Sequence, residues 1–172
     1  QKGTYRVVVT YNNICSKERE VTLNFTCPIP TFTSSPKDVT VECDKVPNKI
    51  DPTPDPLCGP VTLNFNEAFL PGNCADSYVL TRTWVATNGC GLTATVVQKV
   101  TVKDTQKPVV LNPPSDITIE CGGIVPPYTP NWTDNCDKEL LLTAISGVAL
   151  LPCGYEEFYT YSAEDNCGNK AS

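Results

Sequence analysis

Ten cysteines in 172 residues constrain this chain more than any other feature, because eight of them fall at matching places. Cys43, Cys58, Cys74 and Cys90 are followed 78, 78, 79 and 77 residues later by Cys121, Cys136, Cys153 and Cys167. The residues around them return too, Asp38-Val-Thr-Val-Glu-Cys43 becoming Asp116-Ile-Thr-Ile-Glu-Cys121. A fixed period of this length marks a tandem array. A unit of about 78 residues is near the size at which a core alone gives only ~3–5 kcal/mol, so covalent staples are expected. In both copies Val or Ile alternates with Thr, the period of a strand with one buried face.

There is no histidine and no Cys-x2-Cys pair, so the common zinc patterns are absent and disulfides are the natural use of the thiols. Disulfides imply an oxidising setting, a cell surface or secreted space. The triplets Asn24-Phe-Thr26 and Asn131-Trp-Thr133 are candidate glycosylation acceptors for such a setting. A net charge of -6 and a pI near 4.6 argue against nucleic acid as a partner. The longest apolar run, Ala144 to Leu151, is too short for a membrane span, so no membrane insertion is expected here.

Alternating apolar residues place strands at Tyr5–Tyr11, Val21–Phe25, Val61–Phe65, Tyr78–Ala86, Ala94–Val102 and Glu157–Ala163, and sixteen prolines disfavour helices. The expected organisation is the C-terminal part of a preceding repeat at 1–29, repeat A at 30–106 and an incomplete repeat B at 107–172. Both ends fall inside a repeat, so the chain reads as a segment of something larger. Short linkers carrying Pro30 and Pro108 favour a semi-rigid string of modules.

Four cysteines per repeat allow three pairings. Cys74 and Cys90 flank one long strand, and 16 extended residues at ~3.3 Å each would hold them ~50 Å apart, far beyond disulfide reach. If the first strand descends a sandwich, Cys43 meets Cys74 at its lower end and Cys58 meets Cys90 at the upper. The expected bridges are therefore Cys43–Cys74, Cys58–Cys90, Cys121–Cys153 and Cys136–Cys167. Cys15 and Cys27 lie at opposite ends of a strand, which puts their partners upstream of Gln1.

The stretches Trp132-Thr-Asp-Asn-Cys-Asp137 and Tyr159-Thr-Tyr-Ser-Ala-Glu-Asp-Asn-Cys-Gly-Asn169, with Tyr78-Val-Leu-Thr-Arg-Thr-Trp-Val-Ala-Thr-Asn-Gly-Cys-Gly91 in repeat A, resemble the hyalin-repeat branch of immunoglobulin-like modules. They are most similar to the cysteine-bearing repeats of very large Bacteroidetes surface proteins, such as SprB-like gliding-motility adhesins exported by the type IX pathway. The resemblance covers about residues 30–172. It departs at Asp55-Pro-Leu-Cys58, where repeat B has Asp-Asn-Cys. It implies an all-β, immunoglobulin-like sandwich serving as a stalk or adhesive track.

Catalysis finds little support. Without histidine no Ser/His/Asp or Cys/His arrangement can form, and the adjacent Glu156 and Glu157 of a strand point to opposite faces. Metal binding is better founded. Asp104 in the linker and Asp134, Asn135, Asp165 and Asn166 in two turns could supply oxygen ligands for Ca²⁺, against the plainer expectation that they cap their own turns. Trp84 and Tyr161, each six residues before a cysteine, are expected to be core aromatics. Tyr128 and Trp132, in a proline-bearing loop, are the candidates for an exposed contact with a glycan or protein ligand.

The sequence thus points to a structural or adhesive segment of an extracellular fibre whose partners are neighbouring repeats. The alternatives are a ligand-binding module and a self-assembling filament subunit that accepts a strand from its neighbour.

Overall fold

The computed structural model describes residues 2–11, 15–24, 26–55 and 60–172. The chain is all-β and immunoglobulin-like, and among the described residues the one helical turn is three residues long. Its strands are β1 (Lys2–Tyr11), β2 (Cys15–Asn24), β3 (Val39–Glu42), β4 (Val61–Pro71), β5 (Tyr78–Asn88), β6 (Thr93–Lys103), β7 (Val109–Val110), β8 (Trp132–Thr133), β9 (Leu141–Leu151), β10 (Gly154–Glu164) and β11 (Lys170–Ala171). The strands expected from alternation are present except at Asp116–Cys121, with Phe25 lying outside the described residues, and a 3-10 turn at Cys43–Lys45 follows β3. Hydrogen-bonded neighbours form the orders β3-β6-β5-β4, β11-β10-β9, β1-β2 and β7-β8. Two compact units divide the chain, the first from residues 1–36, 51–66 and 83–96, the second from 37–50, 67–82 and 97–172.

In the first unit β1 and β2 pair antiparallel from Lys2↔Asn24 to Tyr11↔Cys15. The following segment bridges back at Phe32↔Pro54, with the Thr33 amide donating to Thr53 O. Trp84 and Ala86 are fully buried and Asn88 nearly so, two residues apart, which is the inward face of β5. The Trp84 ring lies 5.2 Å from that of Phe65, and its Nε1 donates to Asp51 Oδ1 at 2.7 Å. A buried indole N–H normally needs such an acceptor.

In the second unit β3 runs parallel to β6, Val39↔Val100 to Glu42↔Lys103, and Gln98, Val100 and Val102 alternate inward. The pairing at Val110↔Trp132, with the Leu111 amide donating to Asn131 O, repeats 78 residues later the Phe32↔Pro54 bridge of the first unit. The hairpin β9–β10 runs from Gly154↔Leu151 to Glu164↔Leu141. Within it Gly147 faces Phe158, whose ring fills the space a side chain would take.

One repeat expectation fails. Asp116–Cys121, the counterpart of β3, is not a strand, and Ile117 and Ile119 are 57% and 42% exposed. β3 exists because it hydrogen-bonds to Val100–Lys103; Asp116–Cys121 has no ladder partner among the described residues, and an extended segment without one is left as irregular chain.

The expected bridges are also corrected. The structure joins Cys27 to Cys90, Cys43 to Cys136 and Cys74 to Cys167, with Cα–Cα distances of 6.5, 5.8 and 5.1 Å. Cys43–Cys74, Cys58–Cys90 and Cys136–Cys167 are therefore not formed, Cys90 being taken by Cys27, which finds its partner downstream. Cys121 and Cys153 are exposed free thiols and do not bond to each other. Cys58 and the side chain of Cys15 lie outside the described residues. The physical reason is that Cys43 and Cys74 stand at the end of repeat A that meets repeat B, so each finds a cysteine of the next repeat. Three disulfides place the folded chain in an oxidising compartment. Among the described residues no helix is long and apolar enough to cross a membrane.

Candidate functional site

The turn after β5 and the turn after β10 are built alike. In the first, Asn88 Oδ1 accepts from the amides of Cys90 and Leu92, both at 3.0 Å, and Gly91 takes φ +78°. In the second, Asp165 Oδ1 accepts from Cys167 and Asn169, both at 2.9 Å, and Gly168 takes φ +87°. Each turn places a cysteine two residues after its capping residue, and each cysteine is bonded to the chain that precedes the repeat: Cys90 to Cys27, Cys167 to Cys74. The difference lies in the capping side chain. Asn88 has an amide, whose Nδ2 donates to Pro28 O at 2.9 Å. Asp165 has a second carboxylate oxygen.

The Asp165 carboxylate belongs to a cluster. Asp104 follows β6 directly, held by its amide to Ser77 Oγ at 3.4 Å and by Asn169 Nδ2, which donates to its carbonyl at 3.4 Å. Asp134 follows β8. Asp104, Asp134 and Asp165 each bring a carboxylate oxygen within 4.8 Å of the other two. Asp104 and Asp165 are only 6% and 5% exposed. Glu42, at the end of β3, also has an oxygen within 4.8 Å of Asp104, while its carboxylate accepts from Thr105 Oγ1 at 2.6 Å and the Thr105 amide at 3.1 Å.

Turn capping accounts for part of this. Asp134 Oδ1 accepts from the amides of Cys136 and Asp137 at 2.8 and 3.0 Å, and Asp165 Oδ2 accepts from Asn169 Nδ2 at 2.8 Å. It does not account for Asp104, neither of whose buried oxygens has a hydrogen-bond partner, nor for Asp134 Oδ2 and Asn135 Oδ1, which are buried and unpartnered as well. None of the ion pairs Lys45–Asp44, Arg82–Glu67 and Lys170–Glu164 reaches the cluster. Burial first, then the charges of Asp165 and Asp134, push the Asp104 carboxyl up to about 6; the Gln106 amide, which lies beside it without the geometry of a hydrogen bond, pulls the other way.

Three of the five expected ligands, Asp104, Asp134 and Asp165, are thus brought together, and Asn135 adjoins Asp134 in the chain with its Oδ1 buried. Asn166 is the exception: it is exposed, its amide donates to Asp137 Oδ2 at 2.8 Å and its Nδ2 to Asp76 Oδ2 at 2.6 Å. Asn135 has its Nδ2 3.0 Å from Cys136 Sγ and 3.4 Å from Asp44 Oδ1, leaving Oδ1 inside. Glu42 is the member sequence reading missed; its pairing with Thr105, the residue after Asp104, carries no local pattern.

The remaining candidates fall elsewhere. Trp84 is core, as expected, and Tyr161 is half-buried. Tyr128 and Trp132 are half-buried rather than exposed. Trp132 belongs to β8, and Tyr128 donates its hydroxyl to Asn112 O and meets Tyr161 edge-on at 5.5 Å between centroids. The proline-bearing segment packs back on β10, which removes these rings as a freely displayed pair. Asn131 is exposed, and the side chain of Asn24 lies outside the described residues. No family model matches the chain, and no curated protein matches it.

Proposed function

We propose that this chain is a structural segment of an extracellular fibre, an adhesive stalk or track in which consecutive immunoglobulin-like repeats are tied covalently to one another. The observation that carries this reading is that Cys43–Cys136 and Cys74–Cys167 have the same sequence separation, 93 residues. The first cysteine of repeat A is bonded to the second of repeat B, and the third of A to the fourth of B. A bridge inside a module holds that module closed; a bridge between modules carries load past the linker and suppresses bending at it. Short proline-bearing linkers act in the same direction.

Cys121 and Cys153 stand where Cys43 and Cys74 stand in repeat A, and both are exposed thiols. In this reading they bond the second and fourth cysteines of a further repeat of the same kind. Each bond takes two protons and two electrons from a thiol pair, and a disulfide-class oxidant of the extracytoplasmic space accepts them by thiol–disulfide exchange. The resemblance to surface-adhesin repeats supports the location and the adhesive role.

Single-molecule stretching of the chain tests the proposal. Reductant is expected to lower the force at which the second unit opens and to lengthen the fully extended chain. Equal traces with and without reductant would exclude a covalently tied stalk.

A further inference from the structure

We propose that Asp104, Asp134 and Asp165, with the side-chain oxygen of Asn135, bind one divalent cation of the calcium class beside the Cys43–Cys136 and Cys74–Cys167 bridges. Three carboxylates share one small space, each with an oxygen within 4.8 Å of the others. Oxygens around a single Ca²⁺ lie ~2.3–2.6 Å from it, so opposite ligands are separated by about 5 Å and one ion can span the cluster.

An acidic cluster alone is no site, since exposed carboxylates gather without a metal. Here a second observation points inward. Asp104 is 6% exposed, and both its oxygens are buried without any hydrogen-bond partner. So are Asp134 Oδ2 and Asn135 Oδ1. Four orphaned oxygens from three residues, two of them aspartates of the cluster, met by none of the ion pairs Lys45–Asp44, Arg82–Glu67 and Lys170–Glu164, are what a missing cation leaves behind. Asp134 Oδ1 is already fixed by the amides of its turn, which orients the free Oδ2 before any ion arrives, and both oxygens of Asp165 are held in place by its turn and by Asn169.

The donor set selects the ion class. All candidate ligands are oxygens, and Cys136, the nearest sulfur, is committed to a disulfide, which disfavours zinc. Unequal carboxylates drawn from a linker and two turns suit the irregular shell of six to eight oxygens that Ca²⁺ accepts better than the octahedron Mg²⁺ demands. Glu42 and water are available to complete it. The inference does not depend on the fibre reading, because all these residues belong to one compact unit.

In repeat A the residues at the places of Asp104 and Asp165 are Thr26 and Asn88, neither acidic. The cation thus belongs to the A–B junction and not to every junction.

The test is calorimetric titration of CaCl₂ into the EDTA-stripped 172-residue chain, with melting followed in parallel. One saturable site is expected, with Tm rising about 5 to 10 °C at a hundredfold excess over Kd. Asp104→Asn should weaken binding roughly tenfold or more, and in EDTA it should melt above the parent because it removes an uncompensated buried charge. Should that variant fail to fold, Asp134→Asn, which keeps its capping oxygen, should show the same loss of affinity. Asp116→Asn, exposed and outside the cluster, should titrate like the parent. Absence of heat and of any Tm change with Ca²⁺, Mg²⁺ or Mn²⁺ would overturn the proposal. So would an Asp104→Asn chain that binds Ca²⁺ as the parent does.

Discussion

Cys43 and Cys136 are bonded although 93 residues of chain separate them, and the Asn135 side chain beside Cys136 reaches Asp44 beside Cys43 at 3.4 Å. A covalent bond and a polar contact thus fasten adjacent residues of two repeats. Closing a loop of this length removes ~4 to 5 kcal/mol of unfolded-chain entropy in the simplest model.

The first prediction follows from that bond. Cys43→Ser and Cys136→Ser should each lose ~2–5 kcal/mol of stability in urea denaturation, and the double variant should lose no more than either single one. Additive losses would show that the two side chains act separately.

Asp104 sets a dependence on pH for the calcium-free chain. Its carboxyl, faced by Asp134, Asp165, Asp76 and Glu42, titrates at about 6 in the fold against 3.8 unfolded. Between these values the folded state holds a proton that the unfolded state has released. Its contribution is therefore present near pH 4 and lost as pH rises through 6, with a ceiling of ~3 kcal/mol that solvent screening lowers. The difference between the parent and Asp104→Asn in urea midpoint should shrink on acidification from pH 7 to 4. With Ca²⁺ bound the sign should invert, because the ion competes with that proton.

Asn88 and Asp165 cap identical turns, so Asn88→Asp is a direct exchange of one junction's chemistry for the other's. It places a carboxylate oxygen against Pro28 O, where Nδ2 now donates at 2.9 Å, in a site only 4% exposed. A loss of ~1–3 kcal/mol is expected at pH 7, and a smaller one at pH 4, where the protonated acid can donate. Urea melts at the two pH values check this.

Trp84 anchors the first unit. Trp84→Ala should cost ~3–5 kcal/mol as a cavity against Phe65. Trp84→Phe keeps most of the packing and loses the bond to Asp51, so a loss of ~1 kcal/mol is expected. Chemical denaturation of both variants separates the packing from the hydrogen bond.

The strands were legible because alternation is a local signal. Trp84 and Ala86, and likewise Val100 and Val102, occupy every second position and are all buried. The acidic site was legible for a related reason: Asp134 and Asp165 sit in turns that recur with the repeat, and Asp104 ends a strand that must point at the next repeat. Glu42 was not, because its place depends on the parallel register Glu42↔Lys103, which alternation does not fix. The bridges misled for a physical reason. Period and strand length place Cys43 and Cys74 at one end of repeat A, but they are silent on whether a cysteine there bonds within its repeat or to the one it meets. Ile117 and Ile119 show the same limit, since a strand-like pattern becomes a strand only where a partner is present.

The central claim is that bridges run between repeats, and peptide mapping of the unreduced, alkylated protein tests it most directly. The account predicts one cross-linked peptide pair joining Cys43 to Cys136 and another joining Cys74 to Cys167, with alkylated Cys121 and Cys153. Peptides joining Cys43 to Cys74 and Cys136 to Cys167 would contradict it.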